Sequence, residues 1–348
     1  MYIYDTERFI KEALDAETTD KIKDISKSAP KGNASNKEMQ ALCSQLCDVL
    51  KDTPYSIDYI DALNEISKDK KLHKILSYAF NRNNPDKEIE IEMDNNAAVS
   101  VKDCIITQNA IDINKSLPYG LSNKFGSLDV YFSKKPIQFH KALPIILYED
   151  GGRYYIMDGH HRWSQTIMFN PDAEMAAIVI KETKKRTDEF GPISMLKELQ
   201  TVIALDRADK GKGLEAMTAS DVKSENLLNS DCDMDAIKKT IENVWNKGEW
   251  WTSDSEKETD KSFDDMEKLC CEKINGYLGM EEDDEKYIKN EGDLAKYLYG
   301  NKKNYVEKLR LGNRDMMPPR DVMPQADTDE SPENRLWPRR LKRASQEL

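Results

Sequence analysis

The chain has 348 residues, which is enough for two or three domains or for one domain with long helical extensions. Its formal net charge of −12 argues against broad, non-specific nucleic-acid binding and against attachment to an anionic membrane, because most of such a surface repels phosphates. The hydrophobic content of 39% still permits a sizeable core, so the composition does not indicate a disordered chain.

The cysteines and the N-terminus both favour a cytoplasmic protein. The six cysteines form no Cys-x-x-Cys motif, and the adjacent Cys270 and Cys271 suit neither a disulfide nor a zinc site, so we expect reduced, buried thiols. The N-terminus lacks the basic and apolar regions of a signal peptide, and no run of 18 apolar residues predicts a membrane span. We therefore expect a cytoplasmic localisation and no membrane partner.

The N-terminal region, residues 1–87, has the apolar spacing of helices. Helical patterns run from residue 6 to 14, 37 to 50, 57 to 67 and 70 to 80. Residues 28–36 are rich in glycine, proline, serine and asparagine and predict a loop, Pro54 predicts a break, and residues 81–87 read as a linker.

The pattern changes to strands in residues 88–185. Residues 88–93 alternate strictly, and residues 99–106, 143–148, 153–157 and 175–180 are further strand candidates. The turn at residues 149–152 predicts a hairpin, and residues 161–169 predict a helix that ends at Asn170-Pro171. We predict a small mixed sheet here.

Helical patterns return in the C-terminal region, residues 186–312. They cover residues 192–205, 234–251, 263–278 and 294–309. The last segment, residues 313–348, is predicted to be irregular and basic, with five cations at Arg335, Arg339, Arg340, Lys342 and Arg343. This tail is either a solvated end or a contact for nucleic acid or an acidic partner. The predicted fold class is α+β, with a central mixed-sheet domain flanked by N- and C-terminal helical regions.

Chemistry is concentrated in one strand–turn–helix segment, Asp158-Gly159-His160-His161-Arg162. A helix N-terminus offers unpaired N–H groups and a partial positive charge, and Gly159 lets the backbone approach an anion closely. Arg162 can bind phosphate oxygens bidentately, and His160 and His161 can donate hydrogen bonds, more strongly when protonated. Asp158 suggests a Mg²⁺ ligand, a helix cap or a group that orients a histidine. The alternative to an anion-binding site is a capped helix with exposed polar residues.

This turn resembles the signature of the ParB/sulfiredoxin superfamily, and its Asp-Gly-His-His-Arg form is closest to the free serine kinases. The resemblance covers residues 99–181, about a quarter of the chain. It implies a nucleotide-binding domain over residues 88–185 that binds ATP or another nucleotide with Mg²⁺, and it places Thr107 and Gln108 near the nucleotide. Simple helix capping explains Thr107 and Gln108 equally well. Ser164, one helical turn beyond His161, is expected among the nucleotide-binding residues.

The chain departs from the serine kinases where the general base is expected. Those enzymes have a glutamate soon after the first strand, whereas this sequence has Ala110 there, and Asp112 is a displaced substitute. Without a positioned carboxylate an alcohol is harder to deprotonate, so nucleotide binding can persist without kinase chemistry.

Three functions follow from these observations. The first is a Mg²⁺-dependent nucleotide hydrolase or a phosphotransferase to a small hydroxyl acceptor, in which Asp158, His160, His161 and Arg162 do the chemistry. The second is a ParB-like, DNA-associated protein with a nucleotide switch, although no helix-turn-helix is evident and the net charge disfavours DNA. The third is a structural or interaction protein, such as a phage-encoded one, with a non-catalytic ParB-like domain. The sequence predicts no particular oligomeric state.

Overall fold

The structure is a computed structural model that describes residues 16–30, 35–81, 91–139, 144–182, 191–211, 225–251, 257–311, 317–318 and 320–324. The predicted helix over residues 6–14, the linker after residue 81 and the five cations of the tail lie outside this set. Within the described part of the chain, no helix is long and apolar enough to cross a bilayer.

Four helices form the N-terminal region: α1 (Ala16–Ser28), α2 (Asn36–Asp52), α3 (Ile57–Lys68) and α4 (Lys70–Asn81). The last three confirm the predicted helices. Ser35 begins α2 with a capping box, in which its side chain accepts from the N–H of Glu38 and the Glu38 carboxylate accepts from the N–H of Ser35. The break predicted at Pro54 is confirmed, since α2 ends at Asp52, with Thr53 as its C-cap.

A five-stranded mixed sheet lies at the centre, in the order β1-β5-β3-β4-β2. Its strands are β1 (Ile91–Ser100), β2 (Cys104–Ile105), β3 (Ile145–Asp150), β4 (Arg153–Asp158) and β5 (Glu174–Glu182). β1 pairs antiparallel with β5 and β3 with β4, whereas β3 with β5 and β2 with β4 are parallel. The predicted hairpin is confirmed, and Gly151 and Gly152 supply its turn with φ of +59° and +79°.

Eight further helices complete the described structure. Three are short, α5 (Ile113–Ser116), α6 (Pro118–Leu121) and α7 (Ser127–Tyr131), and sequence patterns had not indicated them. The others are α8 (His160–Phe169), α9 (Gly191–Asp209), α10 (Met234–Trp245), α11 (Phe263–Leu278) and α12 (Glu291–Asn301), to which π-helical residues Lys302–Val306 are joined. A small ribbon pairs β6 (Trp250–Trp251) with β7 (Lys257–Glu258).

Both faces of the sheet are buried under helices. In β3, Ile145 and Leu147 belong to one hydrophobic cluster, with α8, α10, α11 and α12. Ile146 and Tyr148 point to the opposite face and belong to a second cluster, with α1 to α4 and α9. This alternation is the period-two pattern of a strand, and it confirms an α+β protein with a mixed sheet and flanking helices. The C-terminal region covers both faces, because α9 packs with the N-terminal helices.

Three predicted elements were wrong at their boundaries. The strand predicted over residues 99–106 is interrupted, because β1 ends at Ser100 and a 3₁₀ turn, Val101–Asp103, precedes the short β2. The helix predicted over residues 234–251 ends at Trp245, since Gly248 adopts φ of +60° and Trp250 enters a strand. The α-helix predicted over residues 294–309 begins earlier, at Glu291, and its second half is π-helical.

The cysteines lie as the sequence suggested. Cys43, Cys104, Cys232, Cys270 and Cys271 are buried, and Cys47 is half-buried. Burial raises the pKa of the Cys232 thiol and of the Cys271 thiol to about 12 in each case. These groups are packing residues held in the thiol form.

Candidate functional site

The strand-to-helix turn is closely packed around a single glycine. β4 ends at Asp158, and α8 begins at His160 after Gly159, whose φ is +105°. A Cβ atom at position 159 would lie 2.6 Å from Ile145 Cγ2, so both the backbone angle and the close packing require glycine. Gly159 is the N-cap residue of α8, and in the described structure no side chain caps this helix. The amides of the first turn have no partner within the helix, and they lie at the positive end of its dipole.

His160 joins the helix to the segment that follows β2. The backbone N–H of Thr107 donates to His160 Nε2 at 3.2 Å, and the Thr107 hydroxyl donates to the carbonyl of Ile156 in β4. His160 is 3% exposed, and burial lowers its pKa well below the ordinary value. Because Nε2 accepts a hydrogen bond, the ring is neutral with its proton on Nδ1.

His161 makes the same kind of contact five residues further along the partner segment. Its Nε2 accepts the backbone N–H of Asp112 at 3.2 Å. Burial, followed by the positive charges of Arg320, Lys115 and Arg162, lowers the pKa of His161 to about 3. The expectation that both histidines donate is thus wrong at Nε2, where each accepts a backbone N–H. They position the loop of residues 106–112, named the β2–α5 loop here, against the helix N-terminus.

Arg162 and Asp158 form a half-buried ion pair at the start of α8. Arg162 Nη2 donates to Asp158 Oδ2 at 3.2 Å, and the two side chains are 17% and 19% exposed. The Arg162 guanidinium also lies against Gly159, 3.1 Å from where a Cβ atom would be. Asp158 thereby holds Arg162 over the first turn of α8, within reach of both protein and solvent.

A second support of the β2–α5 loop comes from Asn226, which is distant in sequence. Asn226 Oδ1 accepts the N–H groups of Ile111 at 2.9 Å and Leu228 at 3.0 Å. Its Nδ2 donates to the carbonyl of Asn109 at 3.1 Å. The loop is therefore held from two sides, by the histidines of α8 and by this amide.

Two cations that sequence reasoning missed also face this site. Arg320, in the 3₁₀ turn Arg320–Val322, is 7% exposed and its Nη1 lies 3.9 Å from Asp112 Oδ2. Lys115, in α5, is exposed, and its charge acts on His161. Arg320 is separated from the motif by more than 150 residues, so no local pattern signals it.

The remaining predicted residues differ in what they can offer a ligand. Thr107 is buried, its backbone N–H donates to His160 Nε2, and its hydroxyl donates to the Ile156 carbonyl. Gln108 is 3% exposed and its Nε2 donates to the carbonyl of Ala110 at 2.6 Å. Ser164 is fully buried and bonds Ser116 Oγ at 2.8 Å, so it stabilises the α5–α8 contact.

The carboxylates suit one kind of metal binding. Within the described residues, no group of three or more histidines, cysteines or acids is arranged to hold a metal ion. Mg²⁺ in nucleotide sites is usually held by one or two carboxylates together with the phosphates and water. Asp158, at the helix N-terminus, fits that role as a single protein ligand.

The Asp112 carboxylate makes two structural contacts. Its Oδ1 accepts the N–H of Asn114 at 2.9 Å and so caps α5, while Oδ2 faces Arg320.

Comparisons with known proteins found no matching family model, no matching curated protein and no matching solved structure.

Proposed function

We propose that the chain is a nucleotide-binding protein of the ParB/sulfiredoxin-like type, with the phosphates at the N-terminus of α8. The observation that supports this most is the gathering of Arg162, Arg320 and Lys115 around His161, at the end of a helix that has no side-chain cap. Asp158 and Asp112 lie beside two of these three cations, so the helix N-terminus keeps a small local excess of positive charge in a chain of net charge −12. Such a site attracts a polyanion.

The proposed reaction is Mg²⁺-dependent hydrolysis of the nucleotide, or phosphoryl transfer to a small hydroxyl acceptor. Arg162 would bind phosphate oxygens and stabilise the charge that develops during transfer. Mg²⁺ carried by the nucleotide would neutralise phosphate charge, with Asp158 as its protein ligand. His160 and His161 would act as neutral positioning groups, since both hold the β2–α5 loop in place through Nε2.

The first test is calorimetric titration of the full chain with ATP, ADP, CTP and GTP, each with and without Mg²⁺. We expect Arg162→Ala to weaken binding about tenfold or more, the cost of a charge-assisted hydrogen bond to phosphate. The matched control is Arg153→Ala, because Arg153 is exposed on the same hairpin and away from the helix N-terminus. Failure of the wild-type chain to bind any of these nucleotides at low salt would refute the proposal.

A second candidate, nucleotide binding without chemistry, is favoured by the state of Asp112. This carboxylate caps α5 and lies beside Arg320, so these contacts are structural ones that hold the β2–α5 loop and α5 in place. The matching role is a structural or interaction protein that binds nucleotide. A wild-type chain that binds nucleotide but releases no phosphate over hours would select this candidate. Steady phosphate release that Arg162→Ala abolishes would select the enzyme.

A further inference from the structure

The first two helices, α1 and α2, form a groove with a volume of about 580 Å³. Each helix supplies one wall from residues that lie about one turn apart, and Thr53 and Pro54, which follow α2, complete the lining. Part of the lining is apolar, since Ile25 of α1 and Val49 of α2 belong to it. The groove is therefore long enough and mixed enough in character to hold a short peptide segment.

Carboxylates outnumber amines in this groove. Its charged lining residues are Glu17, Lys21, Asp24, Asp48 and Asp52. Glu17 pairs with Lys21 and Asp24 with Lys27, each at 2.8 Å, in exposed contacts of small energy. Asp48 and Asp52 are exposed, and within the described part of the chain neither forms an ion pair. As like charges four residues apart they destabilise α2, which a cation in the groove would relieve.

The last described residues of the chain lie beside the groove. Tyr55, the neighbour of Pro54, donates its hydroxyl to the carbonyl of Val322 at 2.7 Å. The 3₁₀ turn Arg320–Val322 packs on α3, which follows directly in the chain. The last described residue, Pro324, comes two positions after Val322. Residues 325–348 therefore start from the end of the groove that Pro54 lines.

These remaining residues contain a segment, 335–343, that matches the groove. It carries five cations and no acid, together with Leu336, Trp337 and Leu341. Arg335 follows Pro324 by 11 residues, which span up to about 36 Å when extended, whereas the 17 residues of α2 are only about 25 Å long. So short a tether also keeps the effective concentration of the segment high.

The residues that precede α1 are the other part of the chain with a short tether to the groove. Residues 1–15 carry four acids and two cations, so their net charge has the same sign as that of the groove. Charge complementarity therefore favours the tail as the occupant.

We propose that the groove between α1 and α2 is the docking site of residues 335–343 of the same chain. The cations of the segment pair with Asp48 and Asp52, and its leucine and tryptophan side chains cover Ile25 and Val49. The acidic partner of the basic tail is then the chain itself, and docking withholds these cations from nucleic acid. This inference does not depend on nucleotide binding at α8.

Carbodiimide cross-linking of the full chain, followed by mass spectrometry, tests the proposal. The reagent joins an amine directly to a carboxylate with which it is in contact. We expect Lys342 to be coupled to Asp48 or Asp52 in the monomeric fraction, with a yield that falls about threefold or more in about 1 M salt, which screens exposed ion pairs.

Three results of this experiment would overturn the proposal. The first is no coupling of Lys342 to either acid. The second is coupling in the dimeric fraction alone, which would place the tail of a second copy in the groove. The third is coupling of Lys11 to these acids instead, which would assign the groove to residues 1–15.

A double substitution in the full chain gives an independent readout. Asp48→Asn with Asp52→Asn should make trypsin cleave residues 335–343 about threefold or more faster, since ion pairs of this kind contribute up to about 1 kcal/mol each. The matched control is Asp20→Asn with Glu65→Gln, which removes two exposed charges of α1 and α3 that do not line the groove. All four side chains are exposed, so we expect both variants to keep the melting temperature of the wild type. Equal cleavage rates in the two variants would contradict docking in this groove.

Discussion

At the scale of single residues, the site depends on two histidines that accept backbone hydrogen bonds. His160 and His161 receive the N–H groups of Thr107 and Asp112, and both rings are held in the neutral form by burial. A protonated ring would have no acceptor at Nε2, and it would place a positive charge beside Arg162 and Arg320. Protonation and folding of the site are therefore opposed.

This opposition predicts acid sensitivity. The pKa of His161 falls from an ordinary value near 6.5 to about 3 in the folded chain, so the unfolded state binds protons first. The stability gained from the neutral ring is complete above about pH 6.5, declines as the pH falls below that value, and is lost below about pH 3. We expect urea unfolding to show a loss on the order of 1–2 kcal/mol between about pH 7.5 and pH 5 that His161→Gln reduces. Equal pH dependence in the two proteins would contradict this.

The residues of the motif could be found from sequence, and their partners could not. Gly159, Arg162 and the histidines are adjacent in the chain, and the strand-to-helix change around them is a local signal. Arg320 and Asn226 reach the same site from distant segments, and single arginine or asparagine residues in polar stretches give no sign of such a role. Sequence also cannot tell whether an imidazole donates or accepts, because the tautomer depends on the tertiary partner.

At the scale of elements, the candidate site consists of the motif at the start of α8 and of the β2–α5 loop, which is bonded to the two histidines of that motif. The loop belongs to none of the named helices or strands, and it is fixed by α8, by the segment around Asn226 and by backbone hydrogen bonds to Leu309, Leu311 and Pro318. The Asn226 amide makes three hydrogen bonds to backbone groups near it. These replace the ladder that a strand or helix would provide.

Removing that amide should loosen the loop. We expect Asn226→Ala to lower the free energy of unfolding by about 1–3 kcal/mol, because backbone groups of Ile111 and Asn109 lose their partner. Asn114→Ala is the matched control, since Asn114 is exposed on α5 and the bond to Asp112 uses its backbone N–H. Urea unfolding measures the difference, and nucleotide titration should show weaker binding in Asn226→Ala alone. Indistinguishable stability of the two variants would show that Asn226 does not hold the loop.

Helices and strands could be predicted from sequence where their apolar pattern is local and continuous. α11 was predicted with its observed ends, and a capping box at Ser262 explains why it begins where it does. β1 continues to Ser100 although its middle is polar and gives no strand signal, because its pairing with β5 resumes at Ala97 after a register shift that follows Asp94. The end of α10 was missed because Gly248 packs against the Lys261 carbonyl, a contact that sequence does not reveal.

At the scale of the whole molecule, the mixed sheet is covered on both faces by helices from different ends of the chain. Tyr59 of α3 illustrates this, since its hydroxyl bonds the carbonyl of Lys197 at 3.0 Å and Thr201 Oγ1 at 2.7 Å, both in α9. On the other face, Trp163 of α8 is fully buried in the cluster that α10 to α12 complete. The sequence showed regions of different pattern at residues 1–87, 88–185 and 186–312, but burial joins them through common cores.

That joint burial leads to a prediction about the segment 88–185 expressed alone. Its sheet would expose Ile146, Tyr148, Met157, Ile178 and Ile180, which the second cluster covers in the full chain. Exposing such a face removes about 1.5–3 kcal/mol per large side chain, more than a small domain can lose. We therefore expect the fragment to bind a hydrophobic dye and to melt without a cooperative transition, while the full chain melts cooperatively. A cooperative transition in the fragment, near the melting temperature of the full chain, would instead establish residues 88–185 as an autonomous domain, with the flanking helices as additions to it.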